Sequence, residues 1–212
     1  MIFFPIFLNL KDKLCVFFGG GNVAERKILT LMKYDCKIRV VSPDVTEKIL
    51  MLKEKIEIIR DKYSPKYMEG AFMVFACTSD KKINDFIFFE AKKRNILVNN
   101  ATSSINTDFV IPSIVDKGRI KIAISTSGVS PALSRLLKEN IKKLIGNEYE
   151  VLAEIMEKIR EKQLTQGETS DKNREKFYKF LNEDVLELIK NRNFAKVQDK
   201  IKKIFGFNIK IK

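Results

Sequence analysis

Apolar and polar positions along the chain follow two rhythms. Short apolar runs recur at Leu14–Phe18, Lys37–Val41, Ile56–Ile59, Phe72–Ala76 and Ile96–Val98. Such runs, with little polar alternation, predict strands buried on both faces. Between them, apolar residues return every third or fourth position. These stretches are Val23–Tyr34 (Val23, Ala24, Ile28, Leu31, Met32), Asp44–Leu52 and Lys81–Lys93, and the spacing predicts helices with one buried face. Strands separated by helices argue for βαβ units. Right-handed crossovers then give an α/β, doubly wound parallel sheet with its ligand crevice at the carboxyl ends of the strands. Those ends are Gly19–Asn22, Ser42–Asp44 and Cys77–Asp80.

The rhythm changes after Asn99. Phe109–Val115 and Arg119–Thr126, joined by Asp116-Lys117-Gly118, predict two strands and a turn. Ser130 and Pro131 make an N-cap and first residue for a helix over Pro131–Ile145, with Leu133, Leu136, Leu137, Ile141 and Leu144 along one side. From Gly146 onward the pattern is all-helical: Tyr149–Lys162, Asn173–Lys190 and Phe194–Phe205, the first two linked by the polar stretch Thr165–Asp171. The expected division is a nucleotide-binding domain at 1–112, a hairpin-helix segment at 113–145 and a helical domain at 146–212.

Between the first strand and the first helix stands Gly19-Gly20-Gly21-Asn22-Val23-Ala24. Read as G-x-G-x-x-A, this turn suits a dinucleotide. Gly19 allows the tight bend, Gly21 lets backbone approach a pyrophosphate, and Ala24 lets the helix pack on the strand. Glycines also make plain turns, so the motif gains its weight from the strand-turn-helix context.

Composition narrows the chemistry. The chain has 212 residues, 45% of them hydrophobic, and a net charge of +13. Residues 1–145 hold 25 Lys+Arg against 15 Asp+Glu, and residues 146–212 hold 15 against 12, so the excess sits in the first part. Basic charge favours anionic partners, but no Lys/Arg block, zinc-finger spacing or RNA-binding aromatic signature selects nucleic acid. No run is long enough for a membrane helix and the apolar start lacks signal-peptide features, so a cytoplasmic protein is expected. Cys15, Cys36 and Cys77 are far apart in apolar runs and read as buried free thiols, with no zinc spacing. There is no histidine, which excludes imidazole as base or metal ligand and leaves acid–base work to carboxylates, lysines, tyrosines, hydroxyls or the substrate.

Three segments, in order and spacing, carry a resemblance. They are Phe4-Pro5-Ile6-Phe7-Leu8, the run Gly19-Gly20-Gly21-Asn22-Val23-Ala24-Glu25-Arg26-Lys27, and Phe109 to Gly118 continuing to Ser125-Thr126-Ser127-Gly128-Val129-Ser130-Pro131-Ala132-Leu133-Ser134-Arg135-Leu136-Leu137. Over about residues 3–145 the chain resembles the precorrin-2 dehydrogenase family, which includes the dehydrogenase/ferrochelatase part of siroheme synthase. The resemblance implies a Rossmann domain, a dimerisation segment and a helical domain, and NAD-dependent oxidation of precorrin-2 to sirohydrochlorin by a homodimer. Some members also insert Fe²⁺. It carries Asn22 and Val23 at the glycine turn, and Pro43 and Asp44 after the second strand, over as cofactor positions. Asp44 either takes ribose hydroxyls, which favours NAD over NADP, or caps the next helix. Thr78 and Asp80 flank cofactor or substrate, although Asp80 also suits a helix cap. Ser125, Thr126, Ser130 and Arg135 are expected to meet the substrate, whose carboxylates also suit Arg119, Lys121 and Lys138, although each of these four cations equally suits a solvated surface.

There is one departure. The family places an aspartate, its proposed base, in the loop after the fifth strand, and here Asn99-Asn100-Ala101-Thr102 puts Thr102 there. Either the proton goes to water or a substrate carboxylate, or Asp108 or Asp80 replaces the aspartate, or the oxidation is impaired. A dehydrogenase without chelatase activity is the main expectation. A bifunctional dehydrogenase–ferrochelatase, an NAD- or tetrapyrrole-binding sensor without turnover, a nucleic-acid binder and a pathway scaffold are the alternatives.

Overall fold

The computed structural model describes residues 3–165, 170–181 and 183–211, without the side chains of 170–173 and 183. The chain forms two compact units, Met1–Ile111 and Pro112–Lys212.

In the first unit, β1 (Leu14–Phe18), β2 (Lys37–Val41), β3 (Glu57–Ile59), β4 (Ala71–Ala76) and β5 (Leu97–Asn100) form one sheet in the order β3-β2-β1-β4-β5. Every pairing is parallel, with β1 at the centre. Period-two alternation divides β1 between two cores. Cys15 and Phe17 face a layer with Ala24, Ile28 and Ile49, whereas Val16 and Phe18 face one with Met68, Ile87 and Ala91. The first layer belongs to α1 (Asn22–Leu31) and α2 (Glu47–Leu50), the second to α3 (Lys81–Lys93). This two-sided burial is why β1 contains no polar residue.

Several boundaries differ from expectation for identifiable reasons. The first helix tightens into a 3₁₀ turn at Met32–Tyr34, then stops at Asp35, which has a φ of 51°. The second is a single turn that starts only at Glu47 because Thr46 caps it, its hydroxyl accepting from Ile49 N at 3.3 Å. β5 runs on through Asn99 and Asn100, where the apolar pattern has ended but the ladder with β4 has not. Phe109–Pro112 is not hairpin. Phe109 packs edge-on against Phe75, centroids 5.5 Å apart, and Ile111 joins the same core.

The second unit opens with the antiparallel pair β6 (Ser113–Lys117) and β7 (Ile120–Ile124), followed by α4 (Pro131–Leu144). α5 (Asn147–Thr165), α6 (Ser170–Phe180), α7 (Glu183–Lys190) and α8 (Phe194–Phe205) then enclose a core of Leu152, Ile155, Ile159, Phe180, Val185, Ile189, Val197, Ile201 and Phe205. Of the expected linker, Thr165 ends α5 and Ser170 opens α6, while 166–169 lie outside the described residues. The helix expected over Asn173–Lys190 is two helices. In a continuous helix Phe180 and Val185 would point about 140° apart. The break after Phe180 lets both be fully buried in one core.

α4 buries little. Its only fully buried residue is Ser134, while Leu133, Leu136, Leu137 and Leu144 are 44%, 58%, 38% and 74% exposed. Among the described residues no helix is long and apolar enough to cross a membrane.

Candidate functional site: the glycine turn and the carboxyl ends of the strands

Backbone hydrogen bonds carry the sheet past its last strand residues and fix the crevice. Gly19 N donates to Val41 O at 3.0 Å, Cys77 N to Phe18 O at 2.8 Å and Ala101 N to Ala76 O at 2.9 Å. The three glycines do different work within this frame. Gly19 has a φ of +105°, and a Cβ there would stand 2.6 Å from the Cys77 carbonyl carbon and 2.9 Å from Thr78 N. A Cβ on Gly20 would press on the Asp44 carbonyl and lie 2.6 Å from Val45 Cγ1. Gly20 O in turn accepts from Thr46 N at 3.0 Å, pinning the β2–α2 loop to the turn. Gly21 has nothing within 4 Å of its Cβ position. It also caps α1 without offering any side-chain acceptor.

α1 therefore presents its first N–H groups, from Asn22 onward, past an open glycine. This is the arrangement in which a helix N-terminus and its dipole favour an anion. The residues fit a dinucleotide. Gly21 leaves room for the pyrophosphate, and Asn22 and Val23 stand at the helix start. Pro43 and Asp44 are exposed at the end of β2. The Asp44 carboxylate has no hydrogen bond or ion pair among the described residues, and since Thr46 holds the capping position, Asp44 is not the cap. Sequence reasoning singled out Gly19, Gly21 and Asp44 but not Gly20, whose requirement is a contact with a loop twenty-four residues away.

The β4 and β5 ends share a polar network around Asn84, fully buried on α3. Its Oδ1 accepts from Thr78 N at 3.0 Å and from the Thr78 hydroxyl at 2.8 Å. Its Nδ2 donates to Thr78 O at 3.0 Å and to Thr102 Oγ1 at 3.2 Å. Thr102 Oγ1 donates to Asn100 Oδ1 at 2.9 Å, and Asn100 Nδ2 donates to Asp85 at 3.2 Å. Thr78 and Thr102, both predicted site residues, thus meet through a residue the sequence did not single out. The hydroxyl proton of Thr102 is already directed at Asn100.

The two carboxylates that the sequence offers as alternative replacements for the missing aspartate have structural partners. Asp80 caps α3, its Oδ1 accepting from Lys82 N at 2.7 Å and Ile83 N at 3.3 Å. Asp108 accepts from Lys92 Nζ at 2.8 Å with one oxygen and from Val98 N at 3.1 Å with the other. It belongs to the edge of β5 and the segment beside it.

A further polar residue links α1 to β5. Lys27, on α1, donates to Asn99 Oδ1 at 2.6 Å and lies 5.9 Å from the Phe75 ring centroid. Desolvation lowers its pKa, a second cation at Arg26 lowers it further, and Cys77 opposes the shift. Burial raises the Cys77 thiol to about 11. Cys15 is also shifted upward, by its hydrogen bond to Cys36 and by burial. Cys36, half-buried just before β2, is shifted downward by the same bond. Two of the three thiols are buried as expected, and Cys36 is the departure.

Ser125, Thr126, Ser130 and Arg135 lie in the second unit, where the first three build the turn into α4. Thr126 Oγ1 is 3.0 Å from both Ser130 O and Ser134 Oγ and accepts from Ser130 N at 3.2 Å. Ser125 Oγ accepts from Ser127 N at 3.1 Å. Ser130 caps α4, its Oγ accepting from Leu133 N at 3.1 Å. Arg135 is exposed and pairs with no carboxylate among the described residues. By contrast, Arg119 pairs with Glu157 and Lys121 with Asp116. Among the described residues no three His, Cys, Asp or Glu side chains are grouped to hold a metal ion.

Comparison with known proteins follows this division. A family model described as putative NAD(P)-binding matches residues 6–113, just over half of the chain, and one described as sirohaem biosynthesis protein central matches 117–144. The siroheme synthase of Photorhabdus laumondii is 34% identical over 180 residues, covering 84% of this chain. That of Mannheimia succiniciproducens is 31% identical over 194 residues, covering 91%. The chain spans only 38% and 41% of the length of these two relatives. The solved structure of SirC, precorrin-2 dehydrogenase, superposes with a TM-score of 0.78 over 97% of this chain and all of its own, at 24% identity, and shares the fold. The protein accordingly belongs to the putative NAD(P)-binding family and is a relative of the siroheme synthases.

Proposed function

We propose that the chain is a precorrin-2 dehydrogenase, oxidising precorrin-2 to sirohydrochlorin with NAD as acceptor, as a cytoplasmic homodimer. The observation that carries this reading is the open Gly21 beside an uncapped α1 and an unpartnered Asp44, in a chain whose relatives are named siroheme synthases. The Asp44 carboxylate suits the 2′-hydroxyl of an adenosine ribose and opposes a 2′-phosphate, which supports NAD over NADP. The chemistry the dinucleotide supplies is acceptance of a hydride at its nicotinamide ring.

The chain's own part is to bind and orient. Asn22 and Val23 hold the pyrophosphate through backbone N–H groups, and Pro43 and Asp44 line the ribose. Thr78 is fixed by Asn84 beside the cofactor. With Asp80 and Asp108 engaged structurally and the Thr102 hydroxyl donating to Asn100, the proton released on oxidation leaves to water or to a substrate carboxylate. Exposed Arg135, on α4, suits those carboxylates, as do the hydroxyls of the Ser125–Ser130 turn that leads into that helix. We assign 113–145 as the dimerisation segment, supported by the exposed leucines of α4, and 146–212 as a helical domain.

The test is anaerobic incubation of the purified protein with precorrin-2 and NAD⁺, following NADH and sirohydrochlorin absorption together. Stoichiometric appearance of both is the expected result. NAD⁺ binding without turnover would overturn the dehydrogenase reading and favour a sensor. If turnover is seen, adding Fe²⁺ as second substrate decides whether metal insertion accompanies it.

A further inference from the structure

The end of β3 brings a cation to the same loop that carries Asp44. The parallel register sets Val41 beside Ile59, and Ser42 N donates to Ile59 O at 3.1 Å. The next residue, Arg60, extends across the end of β2 and donates from Nη1 to Pro43 O at 3.1 Å. Its guanidinium is exposed and has no carboxylate partner among the described residues. The neighbouring acid, Asp61, does not neutralise it: its carboxylate accepts from the Tyr67 hydroxyl at 2.5 Å and from Lys62 N at 2.7 Å. The loop receiving Arg60 is itself held, with Gly20 O accepting from Thr46 N and the Thr46 side chain capping α2. One guanidinium N–H is therefore anchored at the ribose end of the crevice and the remaining donors are unclaimed.

From this geometry, and resting on the nicotinamide-binding reading above, we infer that Arg60 is a specificity-determining residue that lets the ribose site take a 2′-phosphorylated dinucleotide as well as the unphosphorylated one. Asp44, on the β2–α2 loop, and Arg60, just past β3, are oppositely charged groups that do not pair with each other. A free ribose diol is a donor pair matched to the carboxylate. A 2′-phosphate is a dianionic acceptor matched to a planar guanidinium fork, and its repulsion from Asp44 is offset only where that cation is present. Asp44 sets the preference for NAD, and Arg60 limits how strongly the phosphorylated form is rejected.

Titration of the full chain with NAD⁺ and NADP⁺ by calorimetry, for wild type, Arg60→Ala and Asp44→Asn, tests this independently of turnover. Wild type is expected to bind both, NADP⁺ within about tenfold of NAD⁺. Arg60→Ala should weaken NADP⁺ by about tenfold or more while leaving NAD⁺ within about twofold, the usual effect of removing a charge-assisted hydrogen bond that only one of two ligands makes. Asp44→Asn should move the ratio the other way. Equal weakening of both dinucleotides by Arg60→Ala, or no change in either, would overturn the inference while leaving the nicotinamide site standing. Failure of wild type to bind either dinucleotide would overturn the underlying reading instead. Unchanged melting temperatures of the two variants would show that the ratios report on the site and not on folding.

Discussion

Gly20 and Gly21 are adjacent and chemically identical, yet they answer to different demands. Gly20 is required by the protein, because a methyl group there meets the Asp44 carbonyl and Val45. Nothing in the protein fills the Cβ position of Gly21, and in the proposed reading that space is kept for the dinucleotide. Alanine at position 20 should therefore cost about 1–3 kcal/mol in unfolding free energy, the range for overpacking against backbone. Alanine at position 21 should stay within about 0.5 kcal/mol of wild type, as a substitution without a clash does, and yet weaken dinucleotide binding by about tenfold or more through crowding of the pyrophosphate approach. Denaturant unfolding and dinucleotide titration on the same two variants separate the effects. Loss of stability at position 21 would place that glycine in the scaffold. The sequence made Gly19 and Gly21 legible because their motif is local. Gly20, Asn84 and Arg60 were not legible, since each owes its role to a partner that only the folded sheet brings near: the β2–α2 loop, the β5 end and the β2 end.

Helix starts show the same division at the scale of elements. Thr46, Asp80 and Ser130 cap α2, α3 and α4 with side-chain oxygens, while α1 begins on a glycine with none. A helix N-terminus without a side-chain cap retains donors that a ligand can satisfy. This bears on Asp80, which the sequence offers both as a cap and as a replacement base. Asparagine caps about as well as aspartate, whereas alanine does not. Asp80→Ala should lower stability by about 1 kcal/mol, and Asp80→Asn should keep both stability and precorrin-2 turnover near wild type. A stable Asp80→Asn protein that has lost turnover would make the carboxylate part of the chemistry. Strand cores and most helix spans were readable from periodicity because burial on two faces leaves an unmistakable apolar run. The ends of β5 and of α6 were not. Two buried asparagines, Asn99 and Asn100, continue a strand whose apolar signal has stopped, and the break after Phe180 is set by the need to bury both Phe180 and Val185.

For the whole molecule, charge and apolar surface make opposite demands. Each copy carries +13, so two copies repel at long range, the more so at low ionic strength. In the proposed dimer, self-association draws on apolar burial, for which the exposed Leu133, Leu136, Leu137 and Leu144 of α4 are the surface assigned. Patches of this kind on a folded protein mark interaction surfaces. Leu136→Glu, which adds an anion to the middle of the leucine face without touching a buried core residue, should convert a dimer of 24.5 kDa chains to monomer in sedimentation while leaving helical circular dichroism unchanged. Dimer affinity in wild type should rise with salt, because screening removes repulsion and leaves apolar attraction. Affinity for a polycarboxylate tetrapyrrole should fall over the same salt range, because screening removes attraction. Measuring both trends on one preparation distinguishes an apolar dimer interface from an electrostatic one. A dimer that weakens with salt, or an unchanged sedimentation coefficient for Leu136→Glu, would take the interface away from α4.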